Sequence, residues 1–436
     1  MAGEPIRVLH FADLHIGMEA YGQIDPQTGL NRRVVDFLGA FDAVVEHAIR
    51  EEADLVLFCG DAFKNRDPSP TYLREFAARL RRLLEAGIPV FLLVGNHDLP
   101  GMEKRATPLD VFGEFRPLMR EGDRLMVGRQ ERVHRIRTRR GLLQLIAMPF
   151  PVRARLLKAE AWRNLPLEEL DHKLREALRL LLQRMLETEI DPALPTVVAG
   201  HFSVEGATYG SERQVMIGYD VVLPPSMFQH PAIDYVALGH IHKHQAMTVG
   251  DGYPPIVYSG SVERVDFTEE GEPKGFCWVE VRRGGTQWRF VELPARRFTT
   301  LSIDLRNASD PEMAAIAQIR RAVPSIREAV VRLHIRIRPE QIEGLREARL
   351  REELEKAGAF YVSGLRIERE EISRTRIPLG EVERLTPLEL LERYLESRDP
   401  PPDPERRRRL LRMAEQLMKE DVDSGSGAPS DATSHA

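Results

Sequence analysis

A chain of 436 residues, 42% hydrophobic and 30% charged, is long enough for two or three domains with a sizeable core, and its balance excludes a disordered or fibrous class. No run approaches the roughly 18 consecutive apolar residues that a spanning helix requires, so no membrane association is expected. A formal net charge of −5 gives no global attraction to nucleic acid, so any phosphate binding must be local.

The N-terminal MAGEPIRVLH runs into a strand without the pattern of a signal peptide, which predicts a cytoplasmic protein. Cys59 and Cys277 lie far apart in apolar runs and are expected to pack in the core of a protein kept in a reducing compartment. Residues 6–100 alternate strand and helix. IRVLHFAD, DLVLFCGD and IPVFLLVGN are almost wholly apolar, the pattern of strands covered on both faces. Between the first two, Val34, Phe37, Leu38, Phe41, Val45 and Ala48 recur at helical spacing. A second helix, TYLREFAARLRRLLEAG, ends on Gly87. LLQLIAMP is a further strand, residues 165–188 a charged amphipathic helix, and TVVAGH, IDYVALGH and IVYSGS three more strands. GFCWVEVRR and QWRFVELP form a closing hairpin turned by Gly284-Gly285. Strand-helix repetition of this kind predicts parallel pairing in an α/β fold.

After Pro294 the character changes. Residues 296–372 read as a small separate α/β domain, and residues 373–420 as a helix pair. Thr386-Pro387-Leu388-Glu389 carries a capping box, and Leu388, Leu391 and Leu395 follow on one face. A second helix starts at Asp403-Pro404 with Leu410, Ala414 and Leu417 as its stripe. Residues 421–436 are small and polar and are expected to be disordered.

The chemistry lies at the strand ends. Five apolar strands finish in Asp13 and His15, in Gly60-Asp61, in Asn96-His97-Asp98, in Gly200-His201, and in Gly239-His240 with His242. Any one of these is ordinary: a GD is a turn, Asp98 a turn cap, an HxH a surface or core pair. Together they can converge, because sites form at the carboxyl ends of parallel strands and four of the five carry a glycine that permits a sharp turn. Imidazole, carboxylate and amide donors suit borderline divalent ions such as Mn, Fe or Zn. Asp13, His15, Asp61, Asn96, His201, His240 and His242 are too many for one ion and suit two, with one carboxylate bridging. Such a centre keeps net positive charge, favours a phosphoryl group and activates water, so hydrolysis of a phosphoester is the expected reaction. If Asn96 turns toward a metal, His97 on the same tight turn points elsewhere and is assigned to orient the phosphate or protonate the leaving oxygen.

VLHFADLHIG, VLFCGDAF, LLVGNHD, GHFSVEGA, YVALGHIHKHQ and YSGSVERVDF resemble, in order and spacing, the calcineurin-like metallophosphoesterases, and within them the SbcD-type nuclease subunits of double-strand-break repair complexes. The likeness runs over residues 6–420. It implies a four-layer α-β-β-α sandwich, with residues 1–295 as the nuclease domain and 296–372 as a capping domain. It implies one ion on Asp13, His15, Asp61 and His242 and another on Asp61, Asn96, His201 and His240, with His97 the catalytic histidine. It also implies manganese-dependent exonuclease and endonuclease action on DNA, docking of the terminal helix pair on the coiled coil of an SbcC-type ATPase, and a homodimer within a heterotetramer. The dimer contacts would be the helices after Asp67-Pro68-Ser69-Pro70 and near Thr107 to Phe115. Several relatives have a histidine three residues after the bridging aspartate where this chain has Lys64, so Lys64 is given a phosphate contact and no metal role.

Ser261 and Arg264 follow a strand near the site and are assigned to DNA contact against the alternative of a structural turn. The run RVHRIRTRR reads as a solvated strand face, His10 as core, and His244 as a neighbour of the ligands. Two rival functions remain: a metallophosphoesterase acting on small phosphodiesters or phosphoproteins, and a non-catalytic DNA scaffold for the ATPase. Protein phosphatases of the superfamily read GNHE and place an arginine soon after GD, whereas this chain reads GNHD and GDAFKN.

Overall fold

The apolar runs become strands because each is buried on both faces. The computed structural model describes residues 4–100, 105–114, 124–152, 165–210, 220–247, 254–369, 385–396 and 402–424. In chain order the strands are β1 (Ile6–Phe11), β2 (Leu55–Phe58), β3 (Val90–Leu93), β4 (Leu125–Gly128), β5 (Arg132–Thr138), β6 (Gly141–Met148), β7 (Thr196–His201), β8 (Ser203–Val204), β9 (Val222–Leu223), β10 (Tyr235–Gly239), β11 (Gln245–Met247), β12 (Ile256–Tyr258), β13 (Gly275–Val281), β14 (Gln287–Glu292), β15 (Phe298–Asp304), β16 (Val330–Ile337) and β17 (Tyr361–Arg369). Two compact units emerge: Met1–Ile303 with Ser309–Ile335 and Gly344–Arg366, and Asp304–Ala308 with Arg336–Glu343 and Ile367–Ala436.

The first unit contains two six-stranded sheets, ordered β14-β13-β1-β2-β3-β4 and β11-β12-β10-β7-β6-β5. Strands β1 to β4 are parallel, as are β6, β7, β10 and β12. The β13–β14 hairpin and strands β5 and β11 pair antiparallel at the edges. Val8, Leu55 and Leu57 of one sheet meet Leu145, Val197 and Ala237 of the other in a core between them. One residue along, Leu9, Phe11, Val56 and Phe58 face outward onto helices α1 (Arg32–Arg50) and α2 (Pro70–Glu85). Ile146, Val198 and Val236 face outward onto Leu174, Leu178 and Leu182 of the helix Leu167–Thr188. The layers are therefore helix, sheet, sheet, helix. Each fully buried Val, Leu or Phe contributes about 1.5–3 kcal/mol, which is why the runs tolerate no polar alternation. The Asn31 side chain caps α1 and Ser69 caps α2, and Gly87, at φ +76°, ends the latter as expected.

Strands β15, β16 and β17 form a three-stranded sheet. The compact units do not divide at Pro294, where residues 296–372 were expected to separate. Phe298, Val330 and Phe360 bury against Phe267, with Tyr21 and Tyr361 packed alongside. Arg296 donates to Asp36 of α1 at 2.6 and 3.0 Å. The guanidinium groups of Arg32 and Arg296 lie 4.2 and 3.9 Å from the Phe360 ring. This aromatic and ionic packing ties the segment to the first unit.

In the second unit the helices Pro387–Glu396 and Pro404–Ser424 pair, with Arg407 donating to Glu392 and Glu396. The expected capping box is present: Thr386 N donates to Glu389 Oε2 at 2.7 Å and Glu389 N to Thr386 Oγ1 at 3.4 Å. Residues 425–436 and the segment 397–401 lie outside the described residues. Among the described residues, no helix is long and apolar enough to cross a membrane.

Candidate metal centre

All the candidate ligands lie just beyond, or on the last residue of, β1, β2, β3, β7 and β10. Three of these strands belong to one sheet and two to the other, so the site straddles the carboxyl edges of both. Sequence periodicity reveals the strand ends but not this pairing of edges.

The side chains converge. The ligating atoms of Asp13, His15 and His242 lie within 4.8 Å of one another, as do those of Asp13, Asp61 and His201. Asp61 Oδ2 is 3.4 Å from His201 Nε2 and 3.8 Å from His15 Nε2, which places it between the groups. Asn96 Oδ1 is 2.9 Å from His201 Nε2 and 3.1 Å from His240 Nδ1. Asp13 accepts from His240 N at 3.1 Å.

The backbone is strained to achieve this. Asp13, His15, Asp61 and His240 all have positive φ, at 52°, 44°, 62° and 90°, a conformation costing of order 1–3 kcal/mol each. The glycines serve mainly by their lack of a side chain. Gly60 does have φ +98°, but Gly95, at negative φ, is required by space: a Cβ there would lie 2.2 Å from Asp61 Oδ1 and 2.6 Å from Asp61 N. A model of the calcineurin-like phosphoesterase family matches residues 6–244. The chain belongs to this family.

Two curated relatives extend the likeness. A nuclease SbcCD subunit of Rhodobacter capsulatus is 29% identical over 307 residues, covering 66% of this chain and 69% of that protein. DNA double-strand break repair protein Mre11 of Aeropyrum pernix is 26% identical over 330 residues, covering 74% of this chain and 69% of that protein.

The donor set of this phosphoesterase fits divalent metal. His201 Nδ1 donates to the Cys59 carbonyl at 2.6 Å, so in the neutral ring Nε2 points a lone pair at the oxygens of Asn96 and Asp61. His242 Nδ1 lies 2.9 Å from Glu269 Oε1, and its Nε2 faces His15 Nε2 at 3.0 Å. Lone pairs so opposed repel unless a cation or a proton lies between them. Burial disfavours charge on His201, yet the Asp61 carboxylate beside it pushes its pKa up to about 9; a proton there occupies the position a metal would take. Burial works against the Asp61 carboxylate too, but the surrounding imidazoles, His201 foremost, hold it well below the usual range. His15 is pushed well below its ordinary value by burial and by His242.

Residue His97 is half-buried and stands on the same turn. Its Nδ1 donates to the Lys64 carbonyl at 2.8 Å and its backbone N to Asp61 Oδ1 at 2.9 Å. Its ring is edge-on to His15 at 4.9 Å, and its ligating atom also falls within 4.8 Å of those of His15 and Asp61, so geometry alone permits it either role. Lys64 contributes its carbonyl to this arrangement.

Ser261 and Arg264, the residues assigned to DNA contact, both bond to main-chain carbonyls. Ser261 is fully buried, its hydroxyl donating to the Glu263 carbonyl at 3.0 Å. The Arg264 guanidinium is turned inward onto the carbonyls of Glu269, Glu272, Ala295 and Arg296. Both brace the loop after β12 through these bonds, as a structural turn would. His244 stacks on Phe290 at 4.0 Å and donates to the Tyr258 carbonyl at 2.8 Å. His10 is core.

Some residues around the site gave weaker signals. Asp98 accepts from the backbone N of Asp61, Ala62 and Gly95, tying the turn after β3 to the turn after β2. The GNHD motif contains it, but only the fold shows that it caps two loops. Phe150, 5.6 Å from the His240 ring, and Asp220, 3.3 Å from His240 Nε2, carried no sequence signal at all.

Proposed function

We propose that this chain is the metal-dependent DNA nuclease subunit of an SbcC/SbcD-type double-strand-break repair complex, hydrolysing phosphodiester bonds as exonuclease and endonuclease. One observation carries the reading: Asp61 stands between an Asp13–His15–His242 group and an Asn96–His201–His240 group, the arrangement two adjacent cations need. The family supplies the phosphoesterase chemistry, and the relatives' names supply DNA breaks as the substrate class.

Two divalent ions, Mn²⁺ by preference, would draw the phosphodiester into the site and acidify water toward a pKa of about 7. The chain's own residues set the geometry. Asp13, His15, Asp61 and His242 would hold one ion and Asp61, Asn96, His201 and His240 the other. The Lys64 carbonyl accepts the Nδ1 proton of His97, so it is a second proton, carried on Nε2 of the imidazolium, that would orient the phosphate or pass to the leaving oxygen. The half-buried Phe150 ring, 5.6 Å from that of His240, shields that side of the site from bulk water.

In this division of labour residues 1–295 are the nuclease domain, 296–372 cap the substrate groove, and 373–420 dock the coiled coil of the ATPase. The helix pair offers suitable surface: Tyr394, Met413 and Leu417 are 52%, 53% and 61% exposed. The assembly is proposed as a homodimer within a heterotetramer, located in the cytoplasm. Manganese-dependent cleavage of linear duplex and plasmid DNA, run beside a chromogenic diester, tests the proposal. Cleavage of the small diester alone would remove DNA as the substrate.

A further inference from the structure

A buried acid–base pair outside the ligand set touches the centre from behind. We infer that Glu269 and Lys274 form a clamp that positions His242 for its ion, an inference that rests on the binuclear reading above. Glu269 lies in the turn Phe267–Glu269 and Lys274 just before β13, and the side chains of both are 0% exposed. Glu269 Oε1 accepts from His242 Nδ1 at 2.9 Å. Its Oε2 accepts from Lys274 Nζ at 2.8 Å and from Val265 N at 2.9 Å. Lys274 Nζ donates in turn to the His242 carbonyl at 3.1 Å and to Glu272 Oε2 at 3.1 Å. The histidine is thus gripped twice, by its ring through Glu269 and by its backbone through Lys274.

An anionic acceptor behind a ligating imidazole fixes the proton on the far nitrogen, stops ring rotation and raises the basicity of the near one. Lys274 neutralises that acceptor, which would otherwise be a lone buried charge. His97 and His201 rest on backbone carbonyls instead, at Lys64 and Cys59. Across Asp61 the His240 ring likewise faces a carboxylate, Asp220 Oδ2 at 3.3 Å, so the His15–His242 side is probed on its own through Glu269, a side chain that can be altered without touching a ligand.

Two variants of the full chain separate positioning from mere stability. Glu269→Asp keeps the charge for Lys274 but withdraws the oxygen from His242 by about one C–C bond, roughly 1.5 Å. Glu269→Gln with Lys274→Met removes both charges while leaving an amide oxygen for His242 Nδ1. Mn²⁺ alone is the probe, titrated by electron paramagnetic resonance, which distinguishes a coupled pair from an isolated ion. The Asp variant is expected to bind one of its two ions about 10–100-fold more weakly and to show an isolated-ion spectrum at intermediate Mn²⁺. The Gln/Met variant keeps the acceptor for the His242 ring and gives up only the bond from Lys274 to the His242 carbonyl, so it is expected to keep the coupled pair. A purely structural ion pair predicts the reverse order, so two tight ions in the Asp variant, or loss of one in the Gln/Met variant, overturns the clamp. Wild-type protein that binds fewer than two Mn²⁺ overturns the binuclear reading itself, and the clamp with it.

Discussion

Replacing Asp98 by Ala offers the sharpest test of how the site is held together. Asp98 is fully buried, and its carboxylate accepts from Asp61 N at 2.9 Å, Gly95 N at 3.0 Å and Ala62 N at 3.0 Å. Alanine leaves three buried donors without an acceptor, each costing about 1–3 kcal/mol, so simple addition gives about 3–9 kcal/mol. The donors share two adjacent loops and will not add in full, so about 3–5 kcal/mol is the expected loss. Asp98→Asn provides the graded control. Its carbonyl oxygen can keep the two bonds made by Oδ2 while its NH₂ faces Ala62 N–H, so about 1–3 kcal/mol is expected. Urea unfolding followed by the fluorescence of Trp278, buried in the same sheet as β2 and β3, measures both values. Because Asp61 N and its φ of 62° are fixed by these bonds, the Ala variant should also lose Mn²⁺ affinity before it unfolds. An Ala variant as stable as Asn, with Mn²⁺ binding intact, would refute the view that Asp98 holds the Asp61 loop.

Further outcomes follow from the same geometry. His97→Ala is expected to lose about 10²–10⁴ in turnover while two metals per chain persist by elemental analysis; loss of metal would make His97 a ligand. Gly95→Ala drives a Cβ to 2.2 Å from Asp61 Oδ1, and calorimetry should show about 1–3 kcal/mol of overpacking together with weaker metal binding. Phe360→Ala empties the ring between Arg32 and Arg296 and should cost about 3–5 kcal/mol in thermal unfolding, with the metal stoichiometry unchanged. Truncation after Ser373 is expected to leave diester cleavage intact and to abolish pull-down of the ATPase coiled coil; retained pull-down would remove the helix pair from that role.

Much of the fold was legible because burial on both faces writes itself as unbroken apolar runs. IRVLHF, LVLF and VFLL could be nothing but covered strands, and Val34, Phe37, Leu38 and Phe41 marked the face of α1. The polar residues that converge at the site were legible for a related reason: a polar residue directly after such a run has no packing role, so Asp13, Asp61, His201 and His240 stood out. For Ser261 and Arg264, nearness to a strand end says nothing about the direction of a side chain, and both bond to carbonyls. The change of composition at Pro294 does not register that Phe298 and Phe360 bury on Phe267.

What the chain determined by itself was periodicity and the chemical kind of each loop tip, both local properties of neighbouring residues. What only tertiary structure decided was adjacency: that two sheets bring their carboxyl edges together, that Asp98 spans two turns, and that Glu269 stands behind His242 across 27 residues of chain. Positive φ at Asp13, His15, Asp61 and His240 belongs with these, since local preference disfavours it and the surrounding packing imposes it.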